Sequence, residues 1–337
     1  MTGARSPAAE VSDERIAQAI AAWLCEDAET AVVEVHRRPW EYATSTALEL
    51  VTAVSDDGIK RQFVLKHLDP AHASAEARRA KPSFIIEPRR EIEMYRRVLA
   101  PLGVGPSLVA SSLTSESDSC WLLLSYVAGR RLHEDGDLDQ WESVGAWLGS
   151  LHRQLDRLDR ESLVPEAHLI VYQRDWYLEW LQRARRFLAA DRQSPSGRSL
   201  DWLAFRYDQV VARLMSLRPT IIHGEFYPAN VLVRDGAGQS AVCPVDWEMA
   251  AVGPGLIDLA ALTSGRWPES SRQGVIAAYS SHAGCDLGER DLAEAMQCAY
   301  IYLAVQWLGW FGRRRPPAEY AYDWLTDAVE RAEALGL

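Results

Sequence analysis

The segment IIHGEFYPANVLV, residues 221–233, decides the architecture that we predict for this chain. A His-Gly pair precedes the carboxylate of Glu225, and the amide of Asn230 follows five positions later. The flanking residues are apolar and mostly β-branched, which is typical of buried strands. The pattern therefore predicts a strand, a tight loop and a second strand, with an acid and an amide held on the loop.

A second apolar run lies directly downstream and ends in another acid. AVCPV precedes Asp246, sixteen positions after Asn230, and the linker RDGAGQS carries an Asp-Gly turn signal. A hairpin of this kind brings Asn230 and Asp246 together at one end. Amide and carboxylate oxygens are hard ligands that suit Mg²⁺ better than zinc. Glu225 beside them would accept a proton from an attacking hydroxyl, so the group predicts phosphoryl transfer from a nucleotide.

HGEFYPANVL followed by PVDWEMAAVGPGLIDLA resembles the catalytic region of the aminoglycoside phosphotransferase and choline kinase-like superfamily, whose fold is protein-kinase-like. The family pattern is His-Gly-Asp, four residues, Asn, and then DWE or DFE before a tail that contains Gly and Asp. The matching residues are His223, Gly224, Asn230, Asp246, Glu248, Gly253 and Asp258. The resemblance runs from about residue 40 to about residue 265. It implies ATP as the phosphate donor and Mg²⁺ held by Asn230 and Asp246, with help from Glu248.

Upstream segments resemble the nucleotide-binding parts of the same family. FVLKHL resembles the strand whose Lys contacts the α- and β-phosphates, here Lys66, and REIEMYRRVLA resembles the helix whose Glu pairs with it, here Glu91. Glu87 and Glu93 compete with Glu91 for that role. LLLSYVAGRRL resembles the hinge, and EYATSTALEL stands where a Gly-rich phosphate loop is expected. The further nucleotide-binding candidates are Ser125, Tyr126 and Val127 in the hinge, and Thr44, Ser45 and Thr46 in the phosphate loop.

Glu225 departs from the family pattern, in which an Asp stands at this position. The extra methylene moves the carboxylate by roughly one bond length, and a misplacement of about 1 Å can be costly in rate. Glu keeps the charge and the acceptor atoms, so we predict a repositioned base. The alternative is a catalytically silent nucleotide-binding protein, since the base position is altered. A separate, structural interpretation is that Glu225 and Asn230 are ordinary polar residues at the end of a loop. His223 and Asp258 are interpreted as structural residues that bond and stabilise the loop.

The element pattern predicts an α+β, bilobal, protein-kinase-like fold with a small antiparallel-sheet N-lobe and a larger, mainly helical C-lobe. Residues 1–124 form the N-lobe, 125–130 the hinge and 131–337 the C-lobe in this prediction. The first part contains a helix capped by Ser12, a hairpin around Asp-Asp-Gly, a helix that starts at Pro88 and a buried strand, which gives a small sheet with one packed helix. RQSPSGRS and GRRRPPAE are predicted loops in the second part.

Composition narrows the class of protein. The chain has 337 residues, of which 48% are hydrophobic and 25% charged, and its net charge of −11 argues against nucleic-acid binding. Five scattered cysteines without a CxxC pair fit a reduced, cytoplasmic protein. No apolar signal segment is visible, and AMQCAYIYLAVQWLGWFG contains two Gln, which predicts a buried helix instead of a membrane span. We therefore expect a cytoplasmic monomer or homodimer without membrane or nucleic-acid partners.

The acceptor is the part of the function that the sequence leaves open. Eleven of the thirteen tryptophans lie at or after Trp121, and a helical core explains most of them. One or two would line an acceptor pocket, holding either an ammonium group by cation–π attraction or a flat apolar molecule. The predicted reaction is transfer of the γ-phosphate of ATP to a hydroxyl of a small molecule, with an aminoglycoside or other antibiotic, an amino alcohol and a sugar as the candidate acceptors.

Overall fold

The structure is a computed structural model, and it describes residues 11–24, 31–40, 47–69, 81–114, 119–188, 194–234, 242–284, 286–311 and 322–337. The chain divides into two compact units, Met1–Ala128 and Gly129–Leu337. The phosphate-loop candidates Thr44, Ser45 and Thr46 and the predicted loop GRRRPPAE lie outside the described residues.

The first unit is built on a five-stranded antiparallel sheet. Its elements in chain order are α1 (Asp13–Leu24), β1 (Val32–Pro39), β2 (Leu48–Ser55), β3 (Lys60–His67), α2 (Pro88–Met94), β4 (Leu108–Thr114) and β5 (Ser119–Ser125). A 3₁₀ turn (Ser83–Ile85) precedes α2, and a π turn (Tyr95–Leu99) and a last α turn (Ala100–Leu102) continue it. The strand order β1-β2-β3-β5-β4 places β3 at the centre.

The predicted opening helix and hairpin are both present in this unit. The Ser12 hydroxyl accepts a hydrogen bond from the N–H of Arg15 at the start of α1. The Asp-Asp-Gly turn joins β2 to β3, and in it the Asp57 carboxylate accepts the N–H of Ile59 while Gly58 has a φ of +79°. Glycine adopts this left-handed conformation without a steric penalty, which explains why the sequence signal was strong here.

The sheet is larger than the sequence pattern predicts, because the structure adds the strands β1 and β4. Both are edge strands; the sequence of β1, VVEVHRRP, carries polar residues on exposed positions, and that of β4, LVASSLT, includes three hydroxyl residues. Edge strands of natural proteins are commonly polar, which weakens the apolar alternation that marks a strand. The prediction of one packed helix is also corrected, since α1 covers part of the sheet in addition to α2.

Alternation along the central strand β3 sends consecutive side chains to opposite faces. Phe63 and Leu65 form one core with Ile16 and Ile20 of α1. Lys66 points to the other face, where its ammonium group meets α2. The strand that carries Lys66 is therefore covered by a helix on each side.

A charged network on the α1 face ties three strands to the start of α1. The Arg37 guanidinium donates to both carboxylate oxygens of Glu49, at 2.7 and 2.8 Å, and to the carbonyl of Val11, at 2.6 Å. His67 Nε2 lies 2.6 Å from Glu49 Oε1. The hydrogen bond from His67, followed by that from Arg37, lowers the pKa of Glu49 to about 2, although burial opposes the shift. No sequence pattern predicts this network.

Glu49→Gln should remove a pH-dependent part of the stability. A carboxylate whose pKa is depressed on folding stabilises the fold above its ordinary pKa of 4.5, and the contribution is lost as the pH falls towards 2. We expect a loss on the order of 2–3 kcal/mol in the free energy of unfolding at pH 7. The difference between wild type and variant should shrink between pH 4.5 and pH 2, as measured by urea unfolding.

Glu34→Gln is the matched control for this measurement. Glu34 lies on β1 and pairs with His36, but its side chain is 62% exposed. Exposed pairs contribute little to stability, so this variant should track the wild type at every pH. Equal pH profiles for Glu49→Gln and Glu34→Gln would contradict the stabilising role of the network.

The second unit is mainly helical and includes two small three-stranded sheets. Its helices are α3 (Leu132–Asp135), α4 (Leu138–Leu155), α5 (Arg160–Glu166), α6 (Arg174–Leu188), α7 (Pro195–Met215), α8 (Leu256–Leu262), α9 (Glu269–Ala283), α10 (Glu289–Phe311) and α11 (Trp324–Ala334). Its strands are β6 (Arg130–Arg131), β7 (Ile170–Val171), β8 (Pro219–Ile222), β9 (Val231–Val233), β10 (Val242–Pro244) and β11 (Ala251–Pro254). The strand orders are β10-β9-β6 and β7-β11-β8.

Of two sequence predictions for this unit, a loop and a buried helix, the first is partly wrong and the second is confirmed. The prediction that RQSPSGRS is a loop is wrong beyond Ser194. Ser194 caps α7, and Pro195 is the first residue of that helix. A proline is favourable at this position, since the first N–H of a helix has no partner within the helix. The buried helix predicted from AMQCAYIYLAVQWLGWFG is confirmed for residues 295–311, which belong to α10 and include the fully buried Ile301, Leu303 and Val305. Within the described ranges, no helix combines the length and the apolar content that crossing a membrane requires.

Candidate active site

The loop of residues 223–230, which carries Glu225, runs from β8 to β9, as predicted. The two strands belong to different sheets, because β8 pairs with β11 and β9 pairs with β10. The predicted hairpin is also present, with Val231 opposite Pro244 and Leu232 opposite Cys243. The loop ends in a 3₁₀ turn, Pro228–Asn230, so Asn230 stands immediately before β9. The loop is thus fixed at both ends by strands of separate sheets.

Backbone hydrogen bonds bring Asn230 close to Asp246, which follows β10. The N–H of Val245 donates to the carbonyl of Asn230 at 2.9 Å, which extends the hairpin pairing by one residue. The side-chain Nδ2 of Asn230 donates to the carbonyl of Glu225 at 3.0 Å. Because the amide nitrogen faces Glu225, the amide oxygen is the atom that can bind a cation. The hairpin therefore places Glu225, Asn230 and Asp246 at one end of the β9–β10 pair.

Asp246 has an uncommon backbone conformation, with φ of 69° and ψ of 64°. Side chains other than glycine rarely adopt this left-handed region, although Asp and Asn tolerate it better than most. The chain turns there into the 3₁₀ segment Trp247–Met249, and the Trp247 ring is fully buried beside His223, with ring centroids 4.6 Å apart. Backbone strain of this kind clusters at functional sites and is held by the surrounding packing.

The start of the loop is fastened by a buried carboxylate on α8. Asp258 accepts hydrogen bonds from the N–H of His223 at 2.7 Å and from that of Gly224 at 2.9 Å. The Nε2 of His223 in turn donates to the carbonyl of Val245 at 3.0 Å. These bonds confirm the structural interpretation of His223 and Asp258.

Gly224 is required by a close approach of two backbone segments. Its φ is +82°, and a Cβ at this position would lie 2.3 Å from the carbonyl oxygen of Met249. No side chain can be accommodated at that distance, so the loop passes against the segment after Asp246 only because residue 224 is glycine.

His152 and Tyr279 belong to the same network, and sequence reasoning missed them. The Nε2 of His152 lies 3.2 Å from Asp258 Oδ2, and its Nδ1 lies 2.9 Å from the Tyr279 hydroxyl. All three side chains are buried. His152 lies in the segment GAWLGSLH, but a contact between residues more than 100 positions apart leaves no local signal in a single sequence.

Two tyrosines, Tyr172 and Tyr227, lie near the half-buried Glu225. The Tyr172 phenol lies close enough to Asp258 and Glu225 for their charges to act on it, and burial is the main cause that raises its pKa above the ordinary value of 10. Tyr172 therefore stays protonated at neutral pH. Tyr227, two residues after Glu225, packs against the half-buried Trp307, with the ring centroids 5.4 Å apart.

The tryptophans of this unit divide into core and partly exposed rings. Trp180 and Trp247 are fully buried, as the core interpretation predicts. Trp307 and Trp324 are only half-buried and stack with centroids 5.3 Å apart and planes 5° from parallel. The partly exposed pair, adjoining Tyr227, remains the candidate surface for an acceptor.

The ion pair predicted in the first unit is present. Lys66 Nζ lies 2.7 Å from Glu91 Oε2, and the two side chains are 8% and 2% exposed. The competing acids are engaged elsewhere. Glu93 pairs with two arginines of the following turns, and Glu87 caps α2 by accepting the N–H of Arg89. The structure therefore favours Glu91 as the partner of Lys66, as the sequence did.

The predicted hinge residues continue β5. Ser125 exchanges hydrogen bonds with Ser107, donating its own N–H and accepting the N–H of Ser107 on its hydroxyl. The N–H of Tyr126 donates to the carbonyl of Gln62 at 3.0 Å. That N–H is therefore committed to the sheet, so any backbone donor to a nucleotide base in this segment would come from Val127. The nucleotide-binding role of the three residues stays a prediction.

The donor set at Asn230, Asp246 and Glu248 has the chemistry of a magnesium site. Among the described residues, no three His, Cys, Asp or Glu side chains cluster as a metal-binding group. Mg²⁺ is commonly bound through one or two carboxylates together with substrate phosphates and water, so a dense cluster of acids is not required. One Asn oxygen and one or two carboxylates fit this mode.

Comparisons with known proteins show what the chain as a whole is similar to. A family model described as "Phosphotransferase enzyme family" matches residues 43–296. Serine/threonine protein kinase RdoA of Salmonella typhimurium and stress response kinase A of Salmonella typhi are each 27% identical to this chain over 278 residues, or 80% of this chain and 77% of the relative. The solved GDP complex of aminoglycoside 2'-phosphotransferase-IIIa has a TM-score of 0.61 at 16% identity, covering 96% of this chain and 98% of that one.

The fold class predicted from the sequence is confirmed. The first unit contains the antiparallel sheet, the second is mainly helical, and the solved structure that matches nearly the whole chain has the kinase-like fold. At this identity the structural match defines the fold alone.

Proposed function

Because this chain belongs to the phosphotransferase enzyme family, we propose that it transfers the γ-phosphate of ATP to a hydroxyl group. The observation that carries the proposal is the pair of hydrogen bonds at Asn230, which draws Glu225 and Asp246 to the same end of the β9–β10 hairpin. Phosphoryl transfer depends mainly on positioning and on charge stabilisation, and this end of the hairpin offers a base and two oxygen ligands for both tasks.

Asn230 and Asp246 would hold Mg²⁺, and Glu248, two residues after Asp246, would assist. When bound, the ion neutralises negative charge on the phosphates. The strained conformation of Asp246 fixes the direction of its carboxylate, because the buried Trp247 and the following 3₁₀ turn leave the backbone little freedom. Lys66, held by Glu91, would contact the α- and β-phosphates.

Glu225 would accept the proton of the attacking hydroxyl. The acceptor oxygen then forms a bond to the γ-phosphorus, the bond from that phosphorus to the bridging oxygen of ADP breaks, and ADP leaves with the electron pair. Hydrogen bonds on both sides hold the backbone of Glu225 and so limit where its longer side chain can reach. Asn230 donates to the backbone carbonyl of Glu225, and Asp258 accepts the N–H groups of the two preceding residues. A repositioned base is thus compatible with a firmly held loop.

We propose a small molecule as the acceptor, and we weigh a protein as the second candidate. The half-buried Trp307 and Trp324 beside Tyr227 support a small molecule with a flat or cationic group. The name of a relative, serine/threonine protein kinase, with 27% identity over 80% of this chain, supports a Ser or Thr hydroxyl of a protein. Both acceptors use the same chemistry at Glu225.

The test is ATP consumption by the full chain in the presence of Mg²⁺ and a panel of acceptors. Aminoglycosides, choline, amino alcohols and sugars represent the first candidate, and casein with radiolabelled ATP represents the second. Asn230→Ala is the control that removes the cation ligand. Turnover of one acceptor class that Asn230→Ala abolishes supports the proposal. ATP binding without turnover of any acceptor would favour the catalytically silent alternative.

Lys66→Met should weaken ATP binding by about tenfold or more, while binding of the acceptor stays unchanged. A charge-assisted contact to a phosphate contributes roughly 1.5–3 kcal/mol, and its loss leaves the second unit untouched. The variant should also be less stable, because it strands the buried Glu91 carboxylate without its partner. Calorimetric titration with ATP and urea unfolding measure the two effects.

The double variant Lys66→Met/Glu91→Gln separates these effects. Neutralising Glu91 removes the stranded charge, so stability should recover while ATP affinity stays low. If ATP affinity recovers together with stability, Lys66 acts on the fold and not on the nucleotide.

A further inference from the structure

We propose that Tyr279 of α9 is a positioning residue for the loop that carries Glu225. It acts through His152 of α4 and Asp258 of α8, and it does not itself touch the reacting groups. The inference deepens the proposed phosphotransferase function and rests on it for its effect on turnover. Its effect on the loop can be measured without any turnover.

The hydrogen bonds form one continuous chain from Tyr279 to the loop backbone. The Tyr279 hydroxyl lies 2.9 Å from His152 Nδ1, and His152 Nε2 lies 3.2 Å from Asp258 Oδ2. The same Oδ2 accepts the N–H of His223, and Oδ1 accepts that of Gly224. Two bonds therefore separate Tyr279 from the carboxylate that fixes the residues directly before Glu225.

The chemistry of the groups fixes the direction of these bonds. The Asp258 carboxylate, which is fully buried, already receives two backbone N–H groups and acts as an acceptor. His152 Nε2 must then carry the proton that it donates to Asp258, and in the neutral ring Nδ1 is the acceptor. The Tyr279 hydroxyl supplies the donor that this acceptor needs. Tyr279 thus selects the tautomer of His152 that holds Asp258 in place.

Glycines at three points clear the space that this arrangement occupies. A Cβ on Gly255 would lie 2.6 Å from the Tyr279 hydroxyl and 2.7 Å from His152 Nδ1. The two hydrogen-bonded groups therefore occupy the space that a side chain at residue 255 would need. A Cβ on Gly149 would lie 2.4 Å from the carbonyl of Tyr279, and one on Gly145 would lie 2.8 Å from the carbonyl of Val275. Helix α9 therefore packs on α4 at backbone contact.

The close packing explains how a residue so distant in sequence can set the loop. Because α9 packs directly on α4, Tyr279 and His152 are held at hydrogen-bond distance. The ring of His152 is then bonded on one side to the Tyr279 hydroxyl and on the other to the Asp258 carboxylate. Without the hydroxyl, Nδ1 would be a buried acceptor lacking its partner, and the ring would be free to turn away from Asp258. Glu225 would then lose part of its orientation.

The test compares Tyr279→Phe with Tyr300→Phe. Both tyrosines are 4% exposed, and each hydroxyl makes a buried hydrogen bond, that of Tyr279 to His152 of α4. Tyr300 bonds to Thr263, just after the far end of α8, at 2.6 Å, so its loss costs a similar bond without touching His152. Gly255→Ala provides a second disruption of the Tyr279–His152 contact, by a methyl group instead of a missing hydroxyl.

Two measurements are made on all three variants. The first is Mg²⁺-dependent hydrolysis of ATP, from which kcat and KM for ATP are obtained. The second is hydrogen–deuterium exchange of the His223 and Gly224 amides. We expect Tyr279→Phe and Gly255→Ala to lower kcat by about 5- to 20-fold with KM unchanged, the effect of roughly one lost positioning hydrogen bond. Exchange at the two amides should accelerate about tenfold. Tyr300→Phe should change neither.

The outcomes distinguish this inference from the proposed function. Faster exchange in Tyr279→Phe and not in Tyr300→Phe supports the positioning role, even if the chain hydrolyses no ATP and the proposed function fails. Equal exchange in the two Tyr→Phe variants overturns the inference, whatever the activity. A fall in kcat of Tyr279→Phe with unchanged exchange overturns it as well.

Discussion

Asp246→Asn should lower phosphoryl transfer by about 10²- to 10³-fold, the order expected when a preorganised electrostatic group is removed from an active site. Asn keeps the size of the side chain and tolerates the left-handed backbone that Asp246 adopts, with φ of 69°. The change therefore removes the negative charge that would bind Mg²⁺ in the proposed site, and little else. Single-turnover transfer at increasing Mg²⁺ measures the effect, and excess Mg²⁺ should restore part of the rate.

Asp246→Ala serves as the comparison for backbone strain. Alanine has neither the ligand nor the tolerance for a positive φ, so this variant should lose both stability and transfer. If Asp246→Asn has the wild-type rate at low Mg²⁺, the metal assignment at Asp246 is wrong. If Asp246→Asn is destabilised as much as Asp246→Ala, the charge supports the fold instead of the reaction.

Glu225→Gln should reduce kcat by about 10²- to 10⁴-fold, which is the usual contribution of a working base, while the affinity for ATP stays close to that of the wild type. The amide keeps the length of the side chain but cannot take up the proton. The backbone bonds from Asn230 and Asp258 do not involve the Glu225 side chain, so the loop should remain in place. Rapid-quench measurement of one turnover separates the chemical step from nucleotide binding.

Glu225→Asp tests whether reach matters as well as charge. It keeps the carboxylate, shortens it by one methylene, and restores the residue of the family pattern. We expect more activity than in Glu225→Gln, since the charge is retained. Wild-type turnover in Glu225→Gln would remove Glu225 as the base and direct attention to Glu248.

The core of the candidate site could be predicted from the sequence because its signals are local. Asn230 and Asp246 are joined by one hairpin, and Gly224 marks a backbone that only glycine can follow. The family resemblance is confirmed, and the Lys66–Glu91 ion pair is present. The catalytic and metal-binding roles of these residues stay predictions that the experiments above address.

The rest of the site depends on contacts that no local pattern records. His152 and Tyr279 meet only because two glycines of α4 let α9 rest on it and Gly255 leaves room for their hydrogen bond, and each residue alone is an ordinary helical residue in the sequence. Arg37 and Glu49 likewise lie on neighbouring strands, one of which is a polar edge strand without a clear alternation. Packing of distant elements decides these contacts, and packing is the part of a fold that a single sequence shows least.

Because α1 and α2 cover opposite faces of β3, a fragment that folds by itself has to include α1. The family match starts at residue 43, after α1 and β1. A shortened chain that begins there would uncover Phe63 and Leu65, would lack Arg37 as the partner of Glu49, and would turn β2 into a bare edge. Bare apolar edges favour association between chains. Anyone trimming this protein for crystallisation or screening should therefore keep residues 11–39, because the boundary of sequence similarity lies inside the physical domain.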